Sequence, residues 1–164
     1  MKKSAHGNPI LIKNNSVNIL NRVNPFVEKD LQDIIFGHPE CIPISDLDES
    51  YNPLIPVCKE LSTNAGPLDI FMITPNGDLV VIETKLWANP ESRRKVVAQI
   101  LDYAKEMSKW SYSDLQREVN RNLKTKGNHL YDIVLNTSHD TTLNETDFVD
   151  AVSRNLRNGK FMLI

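Results

Sequence analysis

The chain has 164 residues, 40% of them hydrophobic and 24% charged, with 19 Lys+Arg against 21 Asp+Glu and a formal net charge of −2. That is the length of one domain with enough apolar content to bury a core, and it excludes a disordered chain and any general electrostatic attraction to phosphate. No apolar run approaches the roughly 18 residues that span a bilayer, and after Met1-Lys2-Lys3 only Pro9-Ile10-Leu11-Ile12 precedes Lys13, too little for a secretory signal.

Cys41 and Cys58 fit neither a zinc pattern nor a redox pair, so free thiols in a reducing cytoplasm are expected. Residues 1–23 read as an extension, and 24–164 as the domain. Asn24-Pro25 has the chemistry of a helix start, with Val27, Leu31, Ile34 and Ile35 at helical spacing and Gly37 and Pro39 at the end. Glu40 to Pro56, with three further prolines, reads as an irregular connection to a strand near Val57–Leu61. Leu68–Thr74 and Leu79–Leu86 flank Pro75-Asn76-Gly77-Asp78, the signature of a hairpin. In its second arm Leu79 and Val81 alternate with Val80 and Ile82, so both faces are apolar, as in a central strand.

Asn89-Pro90-Glu91 starts the longest predicted helix, whose stripe of Val96, Val97, Ile100, Leu101, Ala104 and Met107 runs to about Trp110. Ser113 is read as the cap of a helix carrying Leu115, Val119 and Leu123 and ending before Gly127. Leu130–Leu135 is read as a buried strand, and Thr146–Leu156 as a helix broken by Gly159. Lys160–Ile164 begins a strand-like run with no polar close, the mark expected of a longer protein cut there. The order of elements is a mixed α/β pattern, and the antiparallel hairpin excludes a purely parallel sheet.

Glu83 and Lys85 stand two apart and project from one face near a strand end, just after four apolar residues. The residues alone leave two readings open: a strand-end salt bridge, or a functional pair whose desolvation is tolerated for its chemistry. Asp69 lies on the other arm of the hairpin, where its carboxylate can converge with that of Glu83. Two such acids with bound waters suit Mg²⁺ or Mn²⁺. Arg93, Arg94 and Lys95 occupy the first turns of a helix, where cations oppose the macrodipole and a phosphate partner would explain them. Between Arg93 and Lys126, nine basic residues face four acidic ones, a local basic stripe in an acidic chain. Trp87 is read as an aromatic closing the core at a strand end. The histidines His6, His38, His129 and His139 share no ligand spacing, and Asp132 carries no assigned role.

Gly66-Pro67-Leu68-Asp69 followed by Val81-Ile82-Glu83-Thr84-Lys85 resembles the PD-(D/E)XK nuclease superfamily, the fold of many restriction and repair endonucleases. Gln99-Ile100-Leu101-Asp102-Tyr103 is similar to the Q-x-x-x-Y element of some of its branches, and Glu28 matches a frequent additional acid on the first helix. Specific residues carry the resemblance from Asn24 to Lys109, and only the order of elements carries it beyond. Two features depart from the pattern: Pro67 does not immediately precede Asp69, and the net charge is acidic.

The resemblance implies a restriction-endonuclease-like α/β core, with a central mixed sheet flanked by helices, that hydrolyses DNA phosphodiesters with Mg²⁺ or Mn²⁺. Asp69, Glu83 and the Thr84 backbone carbonyl would hold the metal, with Glu28 as a further acid. Lys85 would orient the attacking hydroxide or stabilise phosphate charge. Gln99 would join the catalytic set, and Tyr103 with Arg93, Arg94 and Lys95 would contact nucleic acid. A homodimer is compatible with this reading. The alternative is a catalytically silent module of the same fold that binds nucleic acid or a protein.

Overall fold

The first pairing of the chain falls where the sequence suggested only an extension. In the computed structural model, which describes residues 9–21, 27–86, 90–138 and 142–164, strands β1 (Ile10–Lys13) and β2 (Ser16–Ile19) form an antiparallel hairpin. Its turn is Asn14-Asn15 with φ of 50° and 60°, the left-handed pair that a two-residue hairpin loop demands and that asparagine tolerates best after glycine. The side chains of 90–93 are outside the described set, as are the proposed cap residues Asn24, Pro25 and Asn89, together with Trp87, His6 and His139.

Helix α1 (Glu28–Gly37) begins at Glu28, where the Asp30 carboxylate accepts the Val27 N–H at 2.9 Å and satisfies one of the orphan donors of the first turn. The proline-rich connection holds more structure than expected: 3-10 turns at Pro39–Cys41 and Glu49–Tyr51 flank the single-turn α2 (Ile44–Leu47). Ile44, Tyr51 and Leu54 of this stretch are buried, so it serves as a lid over one sheet face.

The main sheet has the order β3-β4-β5-β6, with β3 (Ile55–Thr63), β4 (Gly66–Ile73), β5 (Leu79–Ile82) and β6 (Phe161–Leu163). β3, β4 and β5 are antiparallel neighbours, and β6 joins β5 in parallel, so the sheet is mixed. The alternation in β5 is resolved as two cores. Leu79 and Val81 pack with Phe71, Ile73, Tyr103 and Met107 on one side, while Val80 and Ile82 pack with Ile70, Met72, Ile44 and Tyr51 on the other. β5 ends at Ile82, four residues before the end of the apolar run in the sequence, and the Glu83 N–H still donates to the Ile164 carbonyl at 3.0 Å beside β6.

The first of these cores is covered by α3 (Pro90–Met107), α4 (Tyr112–Leu123), α5 (His129–Ser138) and α6 (Glu145–Arg157). Ile100, Tyr103 and Met107 turn inward from α3, whereas Val97 and Leu101, expected in the same buried stripe, are exposed at 57% and 52%. The cap of α4 is Ser111 and not Ser113: its hydroxyl accepts from the Asp114 N–H at 3.2 Å, and the Asp114 carboxylate accepts the Ser111 N–H at 2.9 Å. Leu130–Leu135 is corrected from strand to helix. Leu130 and Val134, one helical turn apart, are fully buried, while Asp132, which a strand would turn toward the same side, is not.

At the β4–β5 turn Gly77 adopts φ of 77°, and a Cβ there would lie 3.0 Å from Val152 Cγ2 and 3.1 Å from the Val152 nitrogen. The turn therefore needs glycine both for its conformation and for the close approach of α6. Cys58 is buried, which pushes its thiol up to about 12, while Cys41 is exposed; both are free. No helix among the described residues is long and apolar enough to cross a membrane.

Candidate active site

The hairpin register decides where the two acids fall. Ile70 pairs with Ile82 in an antiparallel ladder, so Asp69 and Glu83, one residue further along each chain, come abreast and share a face. β3 adds a third acid that the sequence reading missed. Lys59 pairs with Ile70 and Leu61 with Leu68, so Glu60 falls abreast of Asp69. Glu60 has φ of 54°, and the carbonyls of Lys59 and Glu60 accept the Asn122 side-chain amide of α4 at 2.9 and 3.0 Å. The only sequence signal for Glu60 was an acid in a predicted strand, which does not reveal its register.

Glu83 is the most constrained of these groups. It is 7% exposed, and its Oε2 is buried with no hydrogen-bond partner among the described residues. Burial first, then the charges of Asp69, Glu28 and Glu60, push its pKa up to about 7, with Lys85 opposing. Asp69 is anchored instead: its Oδ2 accepts both the backbone N–H and the hydroxyl of Thr84, each at 2.7 Å. Those two bonds fix the chain just past the end of β5 and leave Asp69 Oδ1 as the oxygen without a described partner.

Lys85 does not hydrogen-bond to either of these acids. Its Nζ donates to Glu28 Oε2 at 2.9 Å, and the Leu86 N–H reaches Glu28 Oε1 at 3.4 Å. The N-terminus of α1 is thereby joined to the segment after β5, across 57 positions of sequence. The ammonium lowers the Glu28 pKa, and the bond to Glu28, followed by the fields of Glu83 and Asp69, raises that of Lys85. Both side chains of this pair are 39% exposed, so the pair is accessible from solvent.

Gln99 and Tyr103 lie one turn apart on α3 and touch each other rather than the acids. Gln99 Nε2 donates to the Tyr103 hydroxyl at 2.6 Å, and that hydroxyl donates to the Pro67 carbonyl at 2.7 Å. The Tyr103 ring is fully buried, and its pKa is raised by that burial, with Glu83, Asp69 and Glu60 adding. The pair positions the backbone two residues before Asp69. Tyr103→Phe, which leaves the Pro67 carbonyl and the Gln99 amide without this partner, is expected to lower stability by about 1–2 kcal/mol in urea denaturation. Arg94 and Lys95 are exposed on α3, and the Arg93 side chain lies outside the described set.

Among the described residues no three His, Cys, Asp or Glu side chains gather closely enough to hold a metal by themselves. Mg²⁺ does not require three, since it is commonly bound through one or two carboxylates and keeps several waters. The donor set of Asp69 and Glu83 is all hard oxygen, and the buried Oε2 of Glu83, unpartnered among the described residues, is an atom a cation would satisfy. The residues present therefore fit a hard divalent ion.

The fold and this constellation define an α/β protein with a mixed four-stranded sheet flanked by helices and an acidic cluster where β4 begins and β5 ends. Comparison with protein-family models, curated proteins and solved structures returned no match.

Proposed function

We propose that the protein is a divalent-metal-dependent nuclease of the PD-(D/E)XK type that hydrolyses phosphodiester bonds in DNA. The observation that carries this reading is the buried Oε2 of Glu83, without a partner among the described residues, on a side chain held abreast of Asp69, with the cation of Lys85 two residues on. A buried carboxylate without a partner is costly, and such costs are concentrated at functional sites.

In this reading Asp69, Glu83 and the Thr84 carbonyl hold Mg²⁺ or Mn²⁺, and a bound ion supplies Lewis-acid stabilisation of phosphate charge and an acidified water. The protein's own groups do the rest. Thr84 fixes Asp69 through two hydrogen bonds. Gln99 and Tyr103 hold the Pro67 segment. Lys85, kept charged by Glu28, offers an ammonium to a phosphate oxygen or to the attacking water. Arg94 and Lys95 offer exposed cations to the DNA backbone, which matters because the net charge of −2 gives no help.

The test is incubation of the purified protein with labelled duplex, single-stranded and branched DNA in Mg²⁺, Mn²⁺ or chelator. Metal-dependent cleavage is expected, with Lys85→Ala slowing it by about 10²-fold or more, the scale seen when one transition-state donor is removed. Binding of DNA without cleavage under every condition would replace the enzyme by a silent binding module.

A further inference from the structure

Among the described residues, exposed apolar surface is concentrated in the β1–β2 hairpin. Of the twelve large hydrophobic side chains exposed there and elsewhere, six fall between Ile10 and Leu20, a clustering that scattered surface hydrophobics do not produce. The register sorts them into faces. Ile10 stands opposite Ile19 and Ile12 opposite Val17, so these four side chains share one face, while Leu11 and Lys13, opposite Asn18 and Ser16, occupy the other. The first face is wholly aliphatic, and its four residues are between 60% and 70% exposed.

No described residue covers this face. Every residue from Pro9 to Asn21 is exposed, and no side chain of β1 or β2 joins either core of the main sheet. A two-stranded hairpin with nothing packed on it is marginal in water, so four β-branched residues on one side call for an occupant. The chemistry of the face selects it. It offers no side-chain nitrogen or oxygen to a polar partner, and interfaces so depleted of polar groups are characteristic of homodimers. A two-fold contact needs a surface complementary to itself, and two copies of one aliphatic face meet that need. The area is of the right order. At roughly 100 Å² for each side chain, the eight side chains of a symmetric pair bury about 800 Å², and the strand backbones beneath them bring the total close to the roughly 1,000 Å² of a specific but weak interface.

We propose that this face is a homodimer interface, in which the hairpins of two copies of this chain stack Ile10, Ile12, Val17 and Ile19 against the same four residues of the other copy. The stacked hairpins enclose a small aliphatic core of their own, and Lys13, Ser16 and Asn18 stay on the outer, solvated faces. A lipid surface is the rival occupant of an apolar hairpin. Against it, Lys13 is the one cation between Pro9 and Asn21, and that stretch holds no aromatic residue to sit among headgroups. The inference is independent of the nuclease reading, because no residue of the hairpin belongs to the cluster at Asp69 and Glu83.

The experiment is analytical ultracentrifugation of the full chain from about 1 to about 200 μM, a range that brackets the affinity of a small interface. The mass is expected to rise with concentration from the 18.7 kDa of one chain toward twice that value. Ile12→Lys and Val17→Lys are each expected to weaken association about tenfold or more, since each encloses an ammonium without a partner between two aliphatic faces. Leu11→Lys, on the opposite face, is expected to leave association unchanged. Because the hairpin gives no side chain to either core, all three variants are expected to keep the wild-type unfolding temperature when measured as monomers, which separates lost association from misfolding. A monomer across the whole range overturns the proposal. So does a dimer that survives Ile12→Lys and Val17→Lys, or one that Leu11→Lys weakens equally. A monomer that floats with phosphatidylcholine or phosphatidylserine vesicles, and loses them in Ile12→Lys, gives the face to lipid and overturns it as well.

Discussion

Glu83→Gln is expected to make the metal-free protein more stable at about pH 8, by up to about 3 kcal/mol, while abolishing metal-dependent cleavage. The carboxyl of Glu83 titrates near 4.5 in an unfolded chain and near 7 in the folded protein. Between those values the folded state retains a proton that the unfolded state has released. The resulting stability is fully present below the unfolded pKa and is lost as pH rises through about 7. Above that point an ionised carboxylate sits 7% exposed beside Asp69 with one oxygen unpartnered. Glutamine has nearly the same shape and carries no charge, so the charge penalty disappears and the slope of stability against pH flattens.

The same argument fixes what a divalent ion does. An ion that satisfies Glu83 Oε2 favours the charged form, so Mg²⁺ should raise the unfolding temperature of the wild type at about pH 8 and raise that of Glu83→Gln far less. Urea denaturation across pH, with and without Mg²⁺, reads both effects in one series. If Glu83→Gln is no more stable than wild type at alkaline pH, the carboxylate is not held at a cost. The argument for a functional acid at this position then fails.

How much of this was legible depends on the range over which each feature is specified. The convergence of Asp69 and Glu83 is a local property of a hairpin, fixed by Pro75-Asn76-Gly77-Asp78 and by the alternation in β5, so the sequence carried it. The Asn14-Asn15 turn was equally local, flanked by Ile10-Leu11-Ile12 and Val17, and its two asparagines were the available signal for β1 and β2. Leu130–Leu135 was ambiguous because a short apolar run fits a strand or a buried helix. The deciding mark was Asp132, which breaks an alternating pattern and suits a helical one. The rest is long-range. The Lys85–Glu28 pair, the Glu60 register and the route from Gln99 through Tyr103 to Pro67 depend on how separate elements pack. Lys85 was therefore assigned to the two acids of its own hairpin, Asp69 and Glu83, while the structure gives its hydrogen bond to Glu28 of α1.

Asp78→Ala is expected to destabilise the protein by about 2–3 kcal/mol, below the roughly 3–5 kcal/mol of a fully buried pair, since the Lys160 partner retains access to water. Asp78 reads in sequence as an ordinary turn residue, but it is 7% exposed and joins three elements. Its Oδ1 accepts Lys160 Nζ at 2.6 Å and Asn155 Nδ2 at 3.3 Å, and its Oδ2 accepts the Thr74 hydroxyl at 3.3 Å. Asn155 also donates to the Gly77 carbonyl at 2.9 Å, so the β4–β5 turn is fastened to α6 and to the entry of β6. Removing the carboxylate leaves a buried amide and an ammonium without their acceptor. Lys160→Ala, which removes the more exposed partner, should cost less, and the double variant should cost less than the two singles together because they share one interaction. Asp78 precedes β5 and Glu83 follows it, five residue steps and about 17 Å apart along the strand. Cleavage assayed well below the unfolding temperature should therefore survive in Asp78→Ala, the inverse of Glu83→Gln. A loss of cleavage without a loss of stability in Asp78→Ala would mean that the two ends of β5 are coupled in a way that this packing does not explain.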